Sequence, residues 1–179
     1  MVAQLDTPVI SSPSHSPYLV EGLVQVFTAS RRSFFTTVMA QALRIAGQGR
    51  RVLVVQFLKG GLHQGSERPV RLCQNLDWIR CNLPRCLDTP HLEATETDAL
   101  VKLWEHTRNV VLDGQYSLVI LDEVSLAVNL GLLLEKDVLE LVKNRPPQVD
   151  IVLTGPEMPE TILSVADQVT KIRLRDHRC

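Results

Sequence analysis

Short apolar runs that do not alternate set the strongest limit on what this chain can fold into. Leu53-Val54-Val55 and Leu118-Val119-Ile120-Leu121 carry apolar side chains at successive positions. A strand built from them buries both faces, as strands do in a parallel sheet with helices on either side. The pattern recurs along the chain as a β-branched run, a turn, then a longer stretch of helical period. Strands are expected at 23–28, 51–57, 76–81, 117–122, 149–154 and 168–173.

The segments between them supply helices. One at 34–46 ends at Gly47 and Gly49, which suit a left-handed cap. One at 95–112 puts Leu100, Leu103, Trp104, Thr107 and Val111 on a single stripe, and Gly114 closes it. Leu134, Val138, Leu141 and Val142 form another stripe, which Pro146-Pro147 stops. A short helix at 159–165 precedes the last strand. Strands alternating with helices imply right-handed crossovers and a three-layer, doubly wound, mostly parallel α/β sheet of about six strands.

The chain of 179 residues is the size of one domain. Residues 1–20 mix Ser, Pro and Thr without either period and are expected to form a flexible arm before a single domain at 21–179. With 45% hydrophobic and 22% charged residues, collagen-like and wholly disordered readings are excluded. A formal charge of −1 gives no field for polyanions or anionic membranes, so neither nucleic acid nor membrane is an expected partner. No apolar run approaches the ~20 residues of a membrane helix, and a cytoplasmic location is expected. Cys73, Cys81, Cys86 and Cys179 lack zinc-finger spacing and read as free thiols. Cys81 and Cys86, flanking Pro84, are the pair that a metal or a regulatory disulfide would use.

Ligands of doubly wound sheets sit beyond the carboxyl ends of the strands. Here those positions carry Thr28-Ala29-Ser30-Arg31-Arg32-Ser33-Phe34-Phe35-Thr36, then Gln56-Phe57-Leu58-Lys59-Gly60, Asp122-Glu123 and Thr154-Gly155-Pro156. The order of these blocks, with Trp104-Glu105-His106, Asn144-Arg145-Pro146 and Ala166-Asp167-Gln168 between and after them, resembles the P-loop type of corrinoid adenosyltransferase. That resemblance covers most of the chain from residue 21. It implies a P-loop NTPase-like fold, MgATP and a corrinoid as substrates, and a homodimer. Enzymes of this family transfer the adenosyl group of ATP to the cobalt of a corrinoid.

The phosphate loop departs from that resemblance. The family reads T-G-N-G-K-G-K-T-T where this chain has residues 28–36, so its glycines are replaced by Ala29, Arg31 and Ser33. Glycine lets the backbone adopt positive φ and approach phosphates, whereas a residue with a Cβ costs ~1–2 kcal/mol there. Phe34 stands at the lysine that meets the triphosphate, and Phe35 at the hydroxyl that holds Mg²⁺. Pro156 replaces an arginine, and residues 80–88 replace a G-F-x-W stretch. Arg31 and Arg32 can supply charge near a helix N-terminus, with Ser33 as its cap, or be solvated loop residues. Gln56, Lys59, Glu67, Asp122 and Glu123 persist. The acidic pair is either a Mg²⁺ site or a set of acceptors for neighbouring loops, while Lys59 and Glu67 read as surface residues.

The expectation is therefore a diverged, non-catalytic adenosyltransferase-like protein with weak or no ATP binding, kept for a corrinoid or protein partner. The alternative is a working ATP:corrinoid adenosyltransferase in which the two arginines replace the lysine. A nucleotide kinase is the third reading, and it needs the same missing loop.

Overall fold

The structure is a computed structural model that describes residues 21–33, 35–60 and 65–173. The arm expected at 1–20, Phe34 and Cys179 lie outside the described residues. Chain order is β1 (Val24–Ala29), α1 (Thr36–Gly47), β2 (Val52–Gln56), β3 (Val70–Cys73), β4 (Leu76–Arg80), α2 (Ala94–Leu112), β5 (Leu118–Asp122), α3 (Val124–Asn129), α4 (Glu135–Asn144), β6 (Asp150–Pro156), α5 (Glu160–Leu163) and β7 (Gln168–Ile172).

The strands form one sheet in the order β3-β4-β2-β5-β6-β1-β7. All neighbours run parallel except β3, which pairs antiparallel with β4. β2 and β5 lie side by side and are buried at every position, as their unbroken apolar runs require. Successive side chains point to opposite faces. Val52, Val54, Leu118 and Ile120 therefore meet α1, through Val38, Ala42 and Ile45. Leu53, Val55, Val119 and Leu121 meet the other helices, through Leu100, Leu103, Trp104, Val138 and Leu141. Helices thus cover both faces, and the seven-stranded, mostly parallel sheet is consistent with a P-loop NTPase-like fold.

The expected strands and helices are present with small shifts at their ends. Gly49 and Gly114 both adopt positive φ, +85° and +63°, after α1 and α2. Two elements were not expected from the sequence. β3 is a short edge strand with two exposed positions and no apolar period, and it raises the strand number from about six to seven. α3 begins directly after Glu123 with no intervening loop, and its six residues, Val124–Asn129, are too few to show a helical period of their own. A third correction concerns Leu134, which does not join the α4 stripe. It is the N-cap residue and 55% exposed.

The 80–88 segment is packed rather than open. Leu83 and Leu87 are buried, and the Leu87 N–H donates to the Leu58 carbonyl at 2.8 Å. A Cβ on Gly60 would meet the carbonyl oxygens of Arg85 and Leu83 at 2.1 and 2.5 Å, so only glycine lets the two segments approach this closely. Cys81 and Cys86 are both free, as is Cys73. Among the described residues no helix is long and apolar enough to cross a membrane.

Candidate functional site

Parallel pairing lines up the carboxyl ends of β4, β2 and β5, with Arg80 opposite Gln56 and Gln56 opposite Asp122. Their side chains form a continuous chain. Arg80 Nε donates to Gln56 Oε1 at 2.7 Å, and Gln56 Nε2 donates to Asp122 Oδ2 at 2.7 Å. Thr154 Oγ1, from β6, donates to Asp122 Oδ1 at 2.8 Å and accepts the Glu123 N–H at 3.0 Å. Lys59 Nζ stands 3.7 Å from Asp122 Oδ2. Gln56, Asp122, Glu123 and Thr154 are all buried. Buried carboxylates and amides must be paired, and here each is.

Glu123 turns the chain from β5 into α3 with a φ of +59°, a left-handed conformation rare for a residue with a Cβ. Its N–H is held by Thr154, and its carbonyl accepts from Ala127 at 3.1 Å. Its carboxylate leaves the sheet edge and meets Arg32, whose Nε and Nη2 donate to Oε1 and Oε2 at 2.5 and 2.7 Å. The hydrogen bond to Glu123 raises the Arg32 pKa above its ordinary value, partly offset by burial. All four carboxylate oxygens of Asp122 and Glu123 thus accept hydrogen bonds from the protein's own side chains.

The loop between β1 and α1 is anchored by an aromatic side chain. Phe35, the N-cap residue of α1, makes no side-chain cap. It is 3% exposed, lies in the core under α1, and meets Phe27 edge-on at a centroid distance of 6.4 Å. Ala29 is buried in the same cluster, and Thr28 Oγ1 accepts the Met158 N–H at 3.4 Å. Ser30, Arg31 and Thr36 are exposed and Ser33 is half-buried.

At the end of β6, Gly155 has a φ of +139°, and a Cβ there would meet Ser125 Oγ at 2.2 Å. Ser125 Oγ donates instead to the Pro156 carbonyl at 2.6 Å, tying α3 to β6. Of the residues expected at the site, the fold brings together Arg32, Gln56, Lys59, Asp122, Glu123 and Thr154. Glu67 is exposed and lines a cleft that borders the cluster at Arg80. Arg80 and Ser125 were missed in sequence. Arg80 is the last residue of β4 and in register with Gln56, which is a signal only once β4 is paired. No group of three or more His, Cys, Asp or Glu side chains that could hold a metal ion occurs among the described residues.

Comparison with known proteins decides the family. The sequence profile described as ATP:corrinoid adenosyltransferase BtuR/CobO/CobP matches residues 20–179. The chain belongs to the ATP:corrinoid adenosyltransferase family. It is 30% identical over 156 residues to a corrinoid adenosyltransferase of Escherichia coli, an alignment covering 87% of this chain and 79% of that protein. It is 29% identical over the same length to the corrinoid adenosyltransferase CobA of Salmonella typhimurium, with the same coverage. A corrinoid adenosyltransferase of Sinorhizobium is 27% identical over 169 residues, covering 88% of this chain and 74% of that protein.

Proposed function

We propose that this member of the corrinoid adenosyltransferase family is non-catalytic, binds MgATP weakly or not at all, and acts through a corrinoid or protein partner, as a cytoplasmic homodimer. The observation that carries this reading is the pairing of Arg32 with Glu123. A cation from the phosphate loop occupies the carboxylate that would otherwise face the nucleotide's metal. A Mg²⁺ ion at the acidic pair would have to displace Arg32, whose guanidinium engages both oxygens of Glu123. The loop offers it no hydroxyl at position 35, where a buried ring lies instead. Mg²⁺ keeps near-ideal octahedral oxygen geometry and does not tolerate a guanidinium neighbour in its shell. The residues present therefore do not fit the metal, and no step is assigned to it.

In the family reaction a Co(I) corrinoid is itself the nucleophile, so the protein's contribution is to position the ribose carbon and to stabilise the departing triphosphate. The second of these tasks is the one the loop substitutions remove. The alternative, an active adenosyltransferase, draws support from one observation. The Arg32 side chain is 38% exposed, so it is within reach of a phosphate that outcompetes Glu123.

Two measurements separate the readings. Titration calorimetry with MgATP at physiological salt is expected to show no binding in the low micromolar range, which corresponds to roughly −7 to −8 kcal/mol. An anaerobic spectrophotometric assay with a Co(I) corrinoid and ATP is expected to show no adenosyl product. Turnover that is abolished by Arg31→Ala with Arg32→Ala would instead establish the enzyme.

A further inference from the structure

We infer that the cleft between the end of β4 and the first turns of α2 is a binding site for a small organic oxyanion, with Arg80 as its anchor. The cleft has a volume of about 580 Å³ and is lined by Arg68, Arg80, Asn82, Thr95, Asp98 and Lys102 among others. That volume is in the range of small-molecule sites, roughly 300–1,000 Å³. It adjoins the strand-end cluster on the β4 flank of the sheet and shares Arg80 with it.

Arg80 is held in place before any ligand arrives. Gln56 is 1% exposed, and its Nε2 is committed to Asp122, so its amide can only offer Oε1 to Arg80 Nε, at 2.7 Å. The guanidinium also lies over the Trp78 ring, 5.3 Å from its centroid. These two contacts fix the plane of the guanidinium and use one of its five donors. Its terminal amino groups have no partner among the described residues. A planar, pre-oriented guanidinium matches an oxyanion through two parallel hydrogen bonds and loses little freedom in making them.

The rest of the lining agrees in charge. Arg68 and Lys102 form no ion pair with described residues, nor do Glu67 and Asp98, so three unpaired cations face two unpaired acids across the cleft. With three cations to two acids in its lining, the cleft favours an entering anion. The two acids favour a ligand whose other end donates hydrogen bonds, such as an amine or a hydroxyl. This inference needs neither nucleotide nor metal and so stands apart from the proposal for the strand-end cluster.

The test is titration calorimetry of the full chain in metal-depleted, low-salt buffer, with inorganic phosphate in one arm and citrate in the other. Saturable binding of at least one probe is expected, with a dissociation constant below about 10 mM. Arg80→Gln is expected to weaken it about tenfold or more. Lys171→Gln, on the exposed strand β7, should leave it unchanged. Should Arg80→Gln fail to fold, the pair Arg68→Gln and Lys102→Gln takes its place with the same expected loss. Binding of phosphate alone identifies a phosphate ester as the ligand class, and binding of citrate alone a carboxylate. Absence of binding by both probes, or an unchanged affinity in the folded variants, overturns the assignment. The assay contains no ATP, so its failure leaves the non-catalytic reading untouched.

Discussion

Arg32 and Glu123, 91 residues apart in sequence, meet through two parallel hydrogen bonds of 2.5 and 2.7 Å. The carboxylate is buried, at 5% side-chain exposure, while the guanidinium is 38% exposed. An ion pair with one member this accessible is screened by solvent, so the pair as a whole is worth only about 0–1 kcal/mol. Removing Arg32 alone is different, because it leaves a buried carboxylate without its partner, at a cost of about 1–3 kcal/mol. Chemical denaturation should therefore find Arg32→Ala less stable than the double variant Arg32→Ala with Glu123→Gln. Equal stabilities would mean that water replaces the arginine without penalty.

Phe35 closes the phosphate-loop position from below. Its ring is buried beside Phe27, Ala29 and Val38, so the loop's aromatic substitution is a piece of core. Phe35→Ala removes the ring and leaves a cavity, and the expected loss is about 3–5 kcal/mol. Thermal or denaturant unfolding measures it. A loss below about 1 kcal/mol would place the ring in a site that collapses without strain.

The layers of this fold were readable because β2 and β5 are apolar at successive positions, and only a sheet covered on both faces accepts such strands. Gly49 and Gly114 marked helix ends for the same local reason, since each takes the positive φ that a terminus demands. What escaped the sequence is what depends on pairing. β3 has no period of its own, and it exists because β4 offers an edge to it. Asp122 and Glu123 were recognisable as a strand-end acidic pair. That their oxygens face Thr154, Gln56 and Arg32 follows only from the register of β2 with β5 and the path of the β1–α1 loop. The burial of Phe35 does not follow from its position before α1, and the apolar space under that helix selects it.

Cysteine chemistry gives a third expectation. Burial pushes the Cys81 thiol up to about 12, so almost no thiolate is present at neutral pH. Cys86, five positions further on, is exposed. Iodoacetamide at neutral pH followed by peptide mass spectrometry should find Cys86 alkylated in the native protein and Cys81 untouched until denaturant is added. Rapid native modification of Cys81 would show that the 80–88 segment opens readily, against its tight seating on Gly60.

The same segment contributes a pH dependence. Glu96, in the first turn of α2, accepts Arg85 Nε and Nη2 at 2.6 and 2.8 Å and the Glu93 N–H at 3.0 Å in a capping box. The hydrogen bonds from Arg85, then that from the Glu93 backbone, hold its carboxyl below the ordinary value of 4.5. A depressed carboxylate pKa stabilises the fold fully above the unfolded value and loses that contribution as pH falls through the folded one. Stability should thus decline below about pH 4.5 more steeply in the native chain than in Glu96→Gln. Denaturant midpoints measured from pH 6 down to about pH 3 test this. Parallel curves for the two proteins would remove Glu96 from the acid transition.

Restoring the loop tests whether nucleotide binding was lost by substitution at a few positions or by the frame itself. Replacing residues 29–35 with the family's G-N-G-K-G-K-T and adding Pro156→Arg returns the glycines, the lysine, the hydroxyl and the second cation. The frame that would receive them, Gln56, Asp122 and Thr154, is already joined by hydrogen bonds of 2.7 and 2.8 Å. Arg32 becomes lysine in the graft, which exchanges the two-pronged hold on Glu123 for a single ammonium, and losing Phe35 removes a buried ring. Recovered MgATP binding is therefore expected together with a lower melting temperature, by roughly 5–10 °C for a loss near 3 kcal/mol in a chain of this size. MgATP should raise that temperature again, by an amount that grows with the logarithm of its concentration above the dissociation constant. Adenosyl transfer is not expected to return, because residues 80–88 still pack against Gly60 in place of the family's G-F-x-W stretch. A graft that folds at native stability and still ignores MgATP would place the defect in the strand-end frame, where Lys59 and Gln56 hold Asp122.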